Sequence, residues 1–174
     1  WQLDATQVPL DTIATQLGAD VAFSLRGGSA IGRGRGEVLE ALSVDHPLHL
    51  VVVAADFPLA TAEVYRQFDL LPGDPMPPAT LPEGFLAAWQ SGDAHTLAPL
   101  MHNDLEAAAC LLHPELTDTR AAVTTAGALR AMVSGSGPTV FGLARGSAHA
   151  TEIAQALRDE GYPARITRSV LSAQ

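Results

Sequence analysis

The sequence has 174 residues, 47% of them hydrophobic, which is enough for one compact domain or for one domain and part of another. Its formal net charge is -9, and its ten basic residues are scattered arginines, so binding to nucleic acid or to an anionic membrane is not expected. Cys110 is the only cysteine, which excludes an internal disulfide and indicates a reducing compartment, the cytoplasm.

The first part of the chain predicts a helix followed by a glycine-rich hairpin. Asp11 is a candidate N-cap, Gly18 ends the helix, and residues 21–25 are predicted to be a short extended run. Residues 27–36 contain many glycines and predict a strand, a turn and a return strand. A dinucleotide-binding loop would need a different glycine spacing and a helix directly after it, so the hairpin is favoured.

Asp20 follows the end of the first predicted helix. Its local pattern favours a solvated carboxylate in a turn, and the alternative is a general base or a charge partner for one.

The middle of the chain predicts a buried strand and a series of helices. Residues 49–55 are continuously apolar and β-branched, which indicates a central strand. Residues 71–82 contain five prolines and predict a surface loop. Asn103 and Glu106 have the spacing of a helix capping box. Helices are predicted at 61–68, 83–91, 94–101, 103–112 and 114–126.

The last part of the chain predicts strands at 129–133, 138–144 and 164–170, with a helix at 147–160. Together with the strand at 49–55, the order is strand, helices, strand, strand, helix, strand. This order is typical of an α+β fold of the ferredoxin-like type, in which an antiparallel sheet carries helices on one face.

The tight turn between the predicted strands at 129–133 and 138–144 is the most distinctive local motif. Its residues are Ser134, Gly135, Ser136 and Gly137. A nucleophile elbow needs glycine where Ser134 stands, and a Walker loop needs a lysine that the chain lacks. Two interpretations remain: an ordinary β-turn, or a nest of backbone N–H groups that binds an anion.

The remaining candidate side chains are less specific. The six histidines show no spacing typical of metal ligands, so surface or capping roles are expected and no metal site is predicted. Tyr65 lies on a predicted helix and is either a core or rim residue or a ring that stacks on a ligand.

Taken together, these segments resemble the GHMP kinase superfamily, and within it the 4-diphosphocytidyl-2-C-methyl-D-erythritol kinases. The resemblance covers nearly the whole chain. It is carried by residues 17–23 around Asp20, the hairpin at 27–37, residues 61–65, residues 103–106 and the motif at 133–141. Two positions depart from the family pattern, since Ala22 and Ala62 stand where the family has proline.

The resemblance implies an ATP-dependent kinase with Mg²⁺, which phosphorylates the 2-hydroxyl of 4-diphosphocytidyl-2-C-methyl-D-erythritol in non-mevalonate isoprenoid biosynthesis. Asp20 would be the catalytic aspartate, and Thr61 and Tyr65 would bind the substrate, with Tyr65 stacked on the cytosine. The turn at 134–137 would lie near the phosphates. Residues 1–45 would be the end of the N-terminal GHMP domain and residues 46–174 the C-terminal domain.

The family's upstream glycine- and serine-rich ATP loop and its lysine are not found in this sequence. Trp1 falls where the helix after that loop would run. We therefore expect an N-terminal segment of the same protein as a partner and no activity from this chain alone. Two alternatives stay open, namely another GHMP kinase for a small molecule such as homoserine, and a non-catalytic ferredoxin-like binding module.

Overall fold

The computed structural model describes residues 9–72 and 80–170. By its internal contacts the chain divides after His46 into two units, and Val170 belongs to the first of them. Most of the predicted proline-rich loop at 71–82 lies outside the described residues. The assignment of residues 1–45 to an N-terminal GHMP domain and of 46–174 to the C-terminal domain stays a prediction.

The first unit begins with two short helices, α1 (Leu10–Leu17) and α2 (Ala19–Arg26). Gly18 ends α1 as predicted, but Asp11 lies in the first turn and Pro9 occupies the N-cap position, so the predicted cap is wrong. The extended run predicted at 21–25 is also wrong, because Gly18 interrupts the helix for one residue and its carbonyl then accepts from Val21 and Ala22. A short apolar run does not distinguish strand from helix by its periodicity.

The predicted glycine-rich hairpin is confirmed. Strands β1 (Ser29–Arg33) and β2 (Val38–Leu42) pair antiparallel, with Arg33 opposite Val38. Gly34 and Gly36 have φ values of 68° and 101°, which residues other than glycine rarely adopt. No helix follows the glycines directly, which excludes a dinucleotide-binding loop here.

The second unit contains the other four strands and six helices of the described residues. Its sheet has the order β4-β5-β3-β6, and all three pairings are antiparallel, which confirms the predicted ferredoxin-like arrangement. A 3₁₀ turn, Ala98–Leu100, follows α5. The elements in chain order are β3 (His49–Val53), α3 (Thr61–Asp69), α4 (Phe85–Ser91), α5 (Ala94–Leu97), α6 (Glu106–Leu112), α7 (Glu115–Thr125), β4 (Arg130–Val133), β5 (Val140–Ala144), α8 (Ser147–Asp159) and β6 (Ala164–Arg168).

The core of the second unit follows from the alternation of side chains along its strands. Val51 and Val53 point to the face that packs against α8, where Ile153 and Leu157 are fully buried. Leu143 points to the opposite face and forms a smaller apolar cluster with residues of α4 and α5. The main helical layer therefore covers one face, and two short helices cover part of the other.

The close packing of β5 against α7 gives a test of this core. A Cβ atom at the buried Gly142 would lie 2.6 Å from Val123 Cγ1 and 3.0 Å from Ala128 Cβ. We expect Gly142→Ala to lower the free energy of unfolding by about 1–3 kcal/mol, because the added methyl group overpacks the core. Gly146→Ala is the matched control, since its Cβ meets no atom within 4 Å and its backbone is extended. Equal urea midpoints for the two variants would contradict this packing.

Candidate active site

The turn between β4 and β5 is closed by two backbone hydrogen bonds. Ser134 donates to the Thr139 carbonyl at 2.8 Å, and Gly137 donates to the Ser134 carbonyl at 2.9 Å. Gly135 and Gly137 have φ values of 56° and 83°, and the Gly137–Pro138 peptide is cis. A strand follows the turn, whereas a nucleophile elbow leads into a helix, so the structure agrees with the exclusion of that motif.

Two consecutive N–H groups of this turn are free of protein acceptors. Within the described residues, neither the N–H of Gly135 nor that of Ser136 donates a hydrogen bond. The bond from Gly137 to Ser134 is that of a β-turn, in which the two central N–H groups have no backbone acceptor. The free N–H groups of Gly135 and Ser136 are therefore compatible both with an ordinary β-turn and with an anion-binding nest.

Thr61 and Tyr65 lie on the helix that begins beside this turn. The Thr61 hydroxyl is 2.9 Å from the Ser136 hydroxyl, and Thr61 is the first residue of α3. Tyr65 follows four residues later, which puts it on the same face of the helix one turn further on. Its side chain is 53% exposed, so it is a rim residue and not part of the core. The structure thus brings Thr61 and the turn together, and Tyr65 follows one helical turn later on α3.

Asp20 belongs to the first unit, where it lies in the first turn of α2. It is exposed, and its carboxylate has no hydrogen bond or ion pair with any other described residue. Ala22 donates its N–H to the Gly18 carbonyl at 3.2 Å, a bond that the family's proline could not make. The structure does not test the role of Asp20, which stays a prediction.

Asn103 and Glu106 do not form the predicted capping box. Asn103 Nδ2 donates to the carbonyls of Val133 at 2.8 Å and of Gly135 at 2.9 Å, and its Oδ1 accepts from the Leu105 N–H at 3.1 Å. Glu106 Oε2 accepts from the Val133 N–H at 2.9 Å. Both side chains bond to Val133 at the end of β4, and Asn103 also bonds to the turn. The start of α6 therefore has no side-chain cap.

Arg120 was not identified from the sequence. It lies on α7, and its NH2 group is 2.7 Å from Glu106 Oε1. The two side chains are only 29% and 15% exposed, respectively. Nothing in the local sequence connects a helix arginine with a glutamate on the preceding helix, so only the tertiary structure reveals the pair.

The histidines form no metal centre in the part of the chain that the structure describes, where no group of three His, Cys, Asp or Glu side chains could hold an ion. His113 stacks on Phe57 with ring centroids 4.3 Å apart. His149 is buried and accepts from the Arg145 N–H at 3.1 Å, and burial lowers the pKa of its imidazole.

Among the described helices, none is both long and apolar enough to cross a membrane.

Comparison with known proteins shows similarity to kinases of one family. The family model described as GHMP kinases C terminal matches residues 85–163. The chain is 44% identical to a 4-diphosphocytidyl-2-C-methyl-D-erythritol kinase of Thermobifida fusca over 161 residues, which cover 92% of this chain and 52% of that protein. It is 48% identical to the kinase of the same name from Rhodococcus jostii over 140 residues, which cover 80% and 45% of the two chains.

The fold agrees with these sequence matches. A crystal structure of 4-(cytidine 5'-diphospho)-2C-methyl-D-erythritol kinase superimposes with a TM-score of 0.76 and 37% identity, covering 98% of this chain and 59% of that one. The chain spans about half the length of the curated relatives it matches.

The two glycines with left-handed backbone in the turn are expected to differ in their tolerance of a side chain. Alanine at either position costs roughly 1–2 kcal/mol through backbone strain. A Cβ atom at Gly137 would also lie 3.1 Å from Val133 Cγ1 and 3.4 Å from Leu59 Cδ2, whereas one at Gly135 meets nothing within 4 Å. Gly137→Ala should therefore lower the free energy of unfolding by about 1 kcal/mol or more beyond Gly135→Ala. Identical denaturation curves for the two variants would show that Gly137 is not packed.

Proposed function

We propose that this chain is the C-terminal part of a GHMP kinase that transfers the γ-phosphate of ATP to the 2-hydroxyl of 4-diphosphocytidyl-2-C-methyl-D-erythritol. This reaction would serve isoprenoid precursor synthesis by the non-mevalonate route. The substrate is the one named for the similar kinases. The remainder of the protein would supply the segment that this chain lacks relative to them.

The observation that carries the proposal is the hydrogen bond between Thr61 and Ser136. It joins the start of α3 to the glycine turn, so that a surface for substrate and a surface for phosphate adjoin each other. The free N–H groups of Gly135 and Ser136 can donate to phosphate oxygens, and the absence of a Cβ atom at Gly135 lets a ligand approach the backbone.

Tyr65 is proposed to hold the cytosine of the substrate. Its ring is half exposed on the same helical face as Thr61, and it packs against no other aromatic ring in the described part of the chain. A nucleobase has an aromatic face that can stack on an exposed ring. The ring would fix one end of the substrate while the turn contacts the diphosphate.

Asp20 is proposed to act on the attacking hydroxyl. Phosphoryl transfer depends mainly on the positioning of the reacting oxygens and on charge stabilisation, so one carboxylate that orients the hydroxyl and accepts its proton is sufficient. The exposed and unbonded carboxylate of Asp20 suits this role, because no donor among the described residues competes for it.

The described residues do not complete a site for ATP or Mg²⁺. The chain has no lysine, and no described cluster of carboxylate, histidine or cysteine side chains could hold a cation. We propose that ATP and its Mg²⁺ are held mainly by the N-terminal segment of the same protein, and that the turn contributes only backbone donors to the phosphates.

The proposed role of Asp20 is tested in the full-length protein by ADP release that depends on the cytidyl substrate. Asp20→Asn should lower kcat by roughly 100- to 10,000-fold, because the amide cannot accept the proton. Asp11→Asn is the matched control, since Asp11 is also an exposed acid in the first turn of a short helix. Unchanged turnover in Asp20→Asn would exclude this role.

The same assay separates the alternative functions. ADP release with homoserine or mevalonate, and none with the cytidyl substrate, would indicate another GHMP kinase. No ADP release with any of these alcohols would favour a non-catalytic module.

Tyr65 is expected to affect binding more than turnover. Tyr65→Ala should raise KM for the cytidyl substrate by roughly 5- to 150-fold, since stacking on a base contributes about 1–3 kcal/mol. Tyr65→Phe retains the ring and should leave KM within about threefold of the original value, because stacking does not need the hydroxyl. If both variants raise KM equally, the hydroxyl and not the ring is the binding group.

A further inference from the structure

Val133, the last residue of β4, is held by side chains on the side where no strand pairs with it. β4 is an edge strand, paired only with β5. The Val133 N–H donates to Glu106 and the Val133 carbonyl accepts from Asn103. The segment 103–106 thus takes the place of a neighbouring strand at the point where the chain leaves the sheet and enters the glycine turn.

The turn itself has little intrinsic rigidity. Two of its residues are glycines in left-handed conformations, and glycine has more backbone freedom in the unfolded chain than any other residue. Asn103 counters this freedom by bonding across the start of the turn, because one amide group donates to both the Val133 and the Gly135 carbonyl. The amide oxygen of Asn103 accepts from the Leu105 N–H, so the amide cannot rotate freely.

Glu106 uses its two oxygens for different partners. Oε2 accepts from the Val133 N–H, and Oε1 pairs with Arg120 on α7. At 15% and 29% exposure, this pair is shielded, whereas the Arg33–Glu40 pair of the hairpin is 64% and 58% exposed. A shielded, charge-assisted bond holds a carboxylate in one place more firmly than a solvated pair does.

We infer that Asn103, Glu106 and Arg120 form a positioning network that sets the location of the turn at 134–137 and thereby the rate of phosphoryl transfer. The inference rests on the proposed kinase function. None of the three side chains needs to touch the substrate. Their effect passes through Val133 and Gly135 to the two free N–H groups, and a small displacement of such donors has a large effect on rate.

The first test is Asn103→Asp in the full-length protein. The carboxylate keeps the acceptor for the Leu105 N–H, loses both donated bonds and places negative charge beside two carbonyl oxygens. We expect kcat to fall by roughly 10- to 100-fold, the range that misplacement of a site by about 1 Å produces. KM for the cytidyl substrate should change by a smaller factor than kcat, because Tyr65, which would hold the cytosine, lies on α3 and not in the turn.

The ion pair is tested by Glu106→Gln, Arg120→Met and the double variant. Glutamine keeps an oxygen that can accept from Val133 and loses the charge, so this milder variant serves if Asn103→Asp does not fold. Both single changes should lower kcat, and the double variant should be no slower than the worse single one, because the two residues act as one unit. Additive losses would overturn the inference.

Arg158→Met is the matched control. Arg158 is also a helix arginine, exposed overall, and its Nε makes a partly buried hydrogen bond of 3.0 Å to the Ala164 carbonyl, which belongs to β6 and not to the turn. We expect this control to lower stability without lowering kcat. If Arg120→Met and the control lower kcat by the same factor, Arg120 has only a structural role.

Hydrogen exchange followed by mass spectrometry gives a readout that does not depend on kinase activity. Asn103→Asp should speed exchange in a peptide covering 131–139 and leave α8 unchanged, whereas the control should not affect 131–139. Faster exchange in a protein without kinase activity would support the network and refute the proposed function alone. Unchanged exchange at 131–139 in Asn103→Asp would overturn the network whatever the activity.

Discussion

The pairing of β3 with β5 is the constraint on which the candidate site depends. Val53 lies opposite Val140, so the carboxyl end of β3 meets the amino end of β5. The connection that leads to Thr61 and the turn that precedes Val140 therefore emerge at the same end of the sheet. The burial of Val51 and Val53 against α8 fixes this register, because a shift by one residue would turn both valines to the other face.

The parts of the fold that sequence reasoning could predict are those with a local signal. The apolar, β-branched run at 49–53 indicates a buried strand on its own, and the glycines at 34 and 36 indicate a turn. The helix at 19–26 was missed because its apolar residues are too few to show a period, and because one glycine separates it from α1. The boundaries of the remaining helices and strands differ from their predicted positions by a few residues.

The residues of the candidate site likewise divide into those with a local sequence signal and those without one. The composition of the turn and the presence of Thr61 and Tyr65 on one helix could be predicted, since both are local. The bonds from Asn103 and Glu106 to Val133 join residues that are 30 and 27 positions apart in the sequence, so no spacing rule can reveal them. The spacing of Asn103 and Glu106 favoured a capping box because these residue types can bond either to the backbone at a helix start or to the backbone of another element. In the structure they bond to Val133 at the edge of β4.

The chemistry proposed for the turn suits a chain whose net charge is -9. A lysine or arginine side chain would attract any nearby phosphate, but the turn contains neither. Oriented backbone N–H groups carry only partial charges, so they stabilise an anion in proportion to how well they are aimed. A site of this kind depends on the rigidity of its support more than a site built on cationic side chains does. This dependence explains why a turn with two glycines is bonded to side chains of α6 and, through Glu106, to α7.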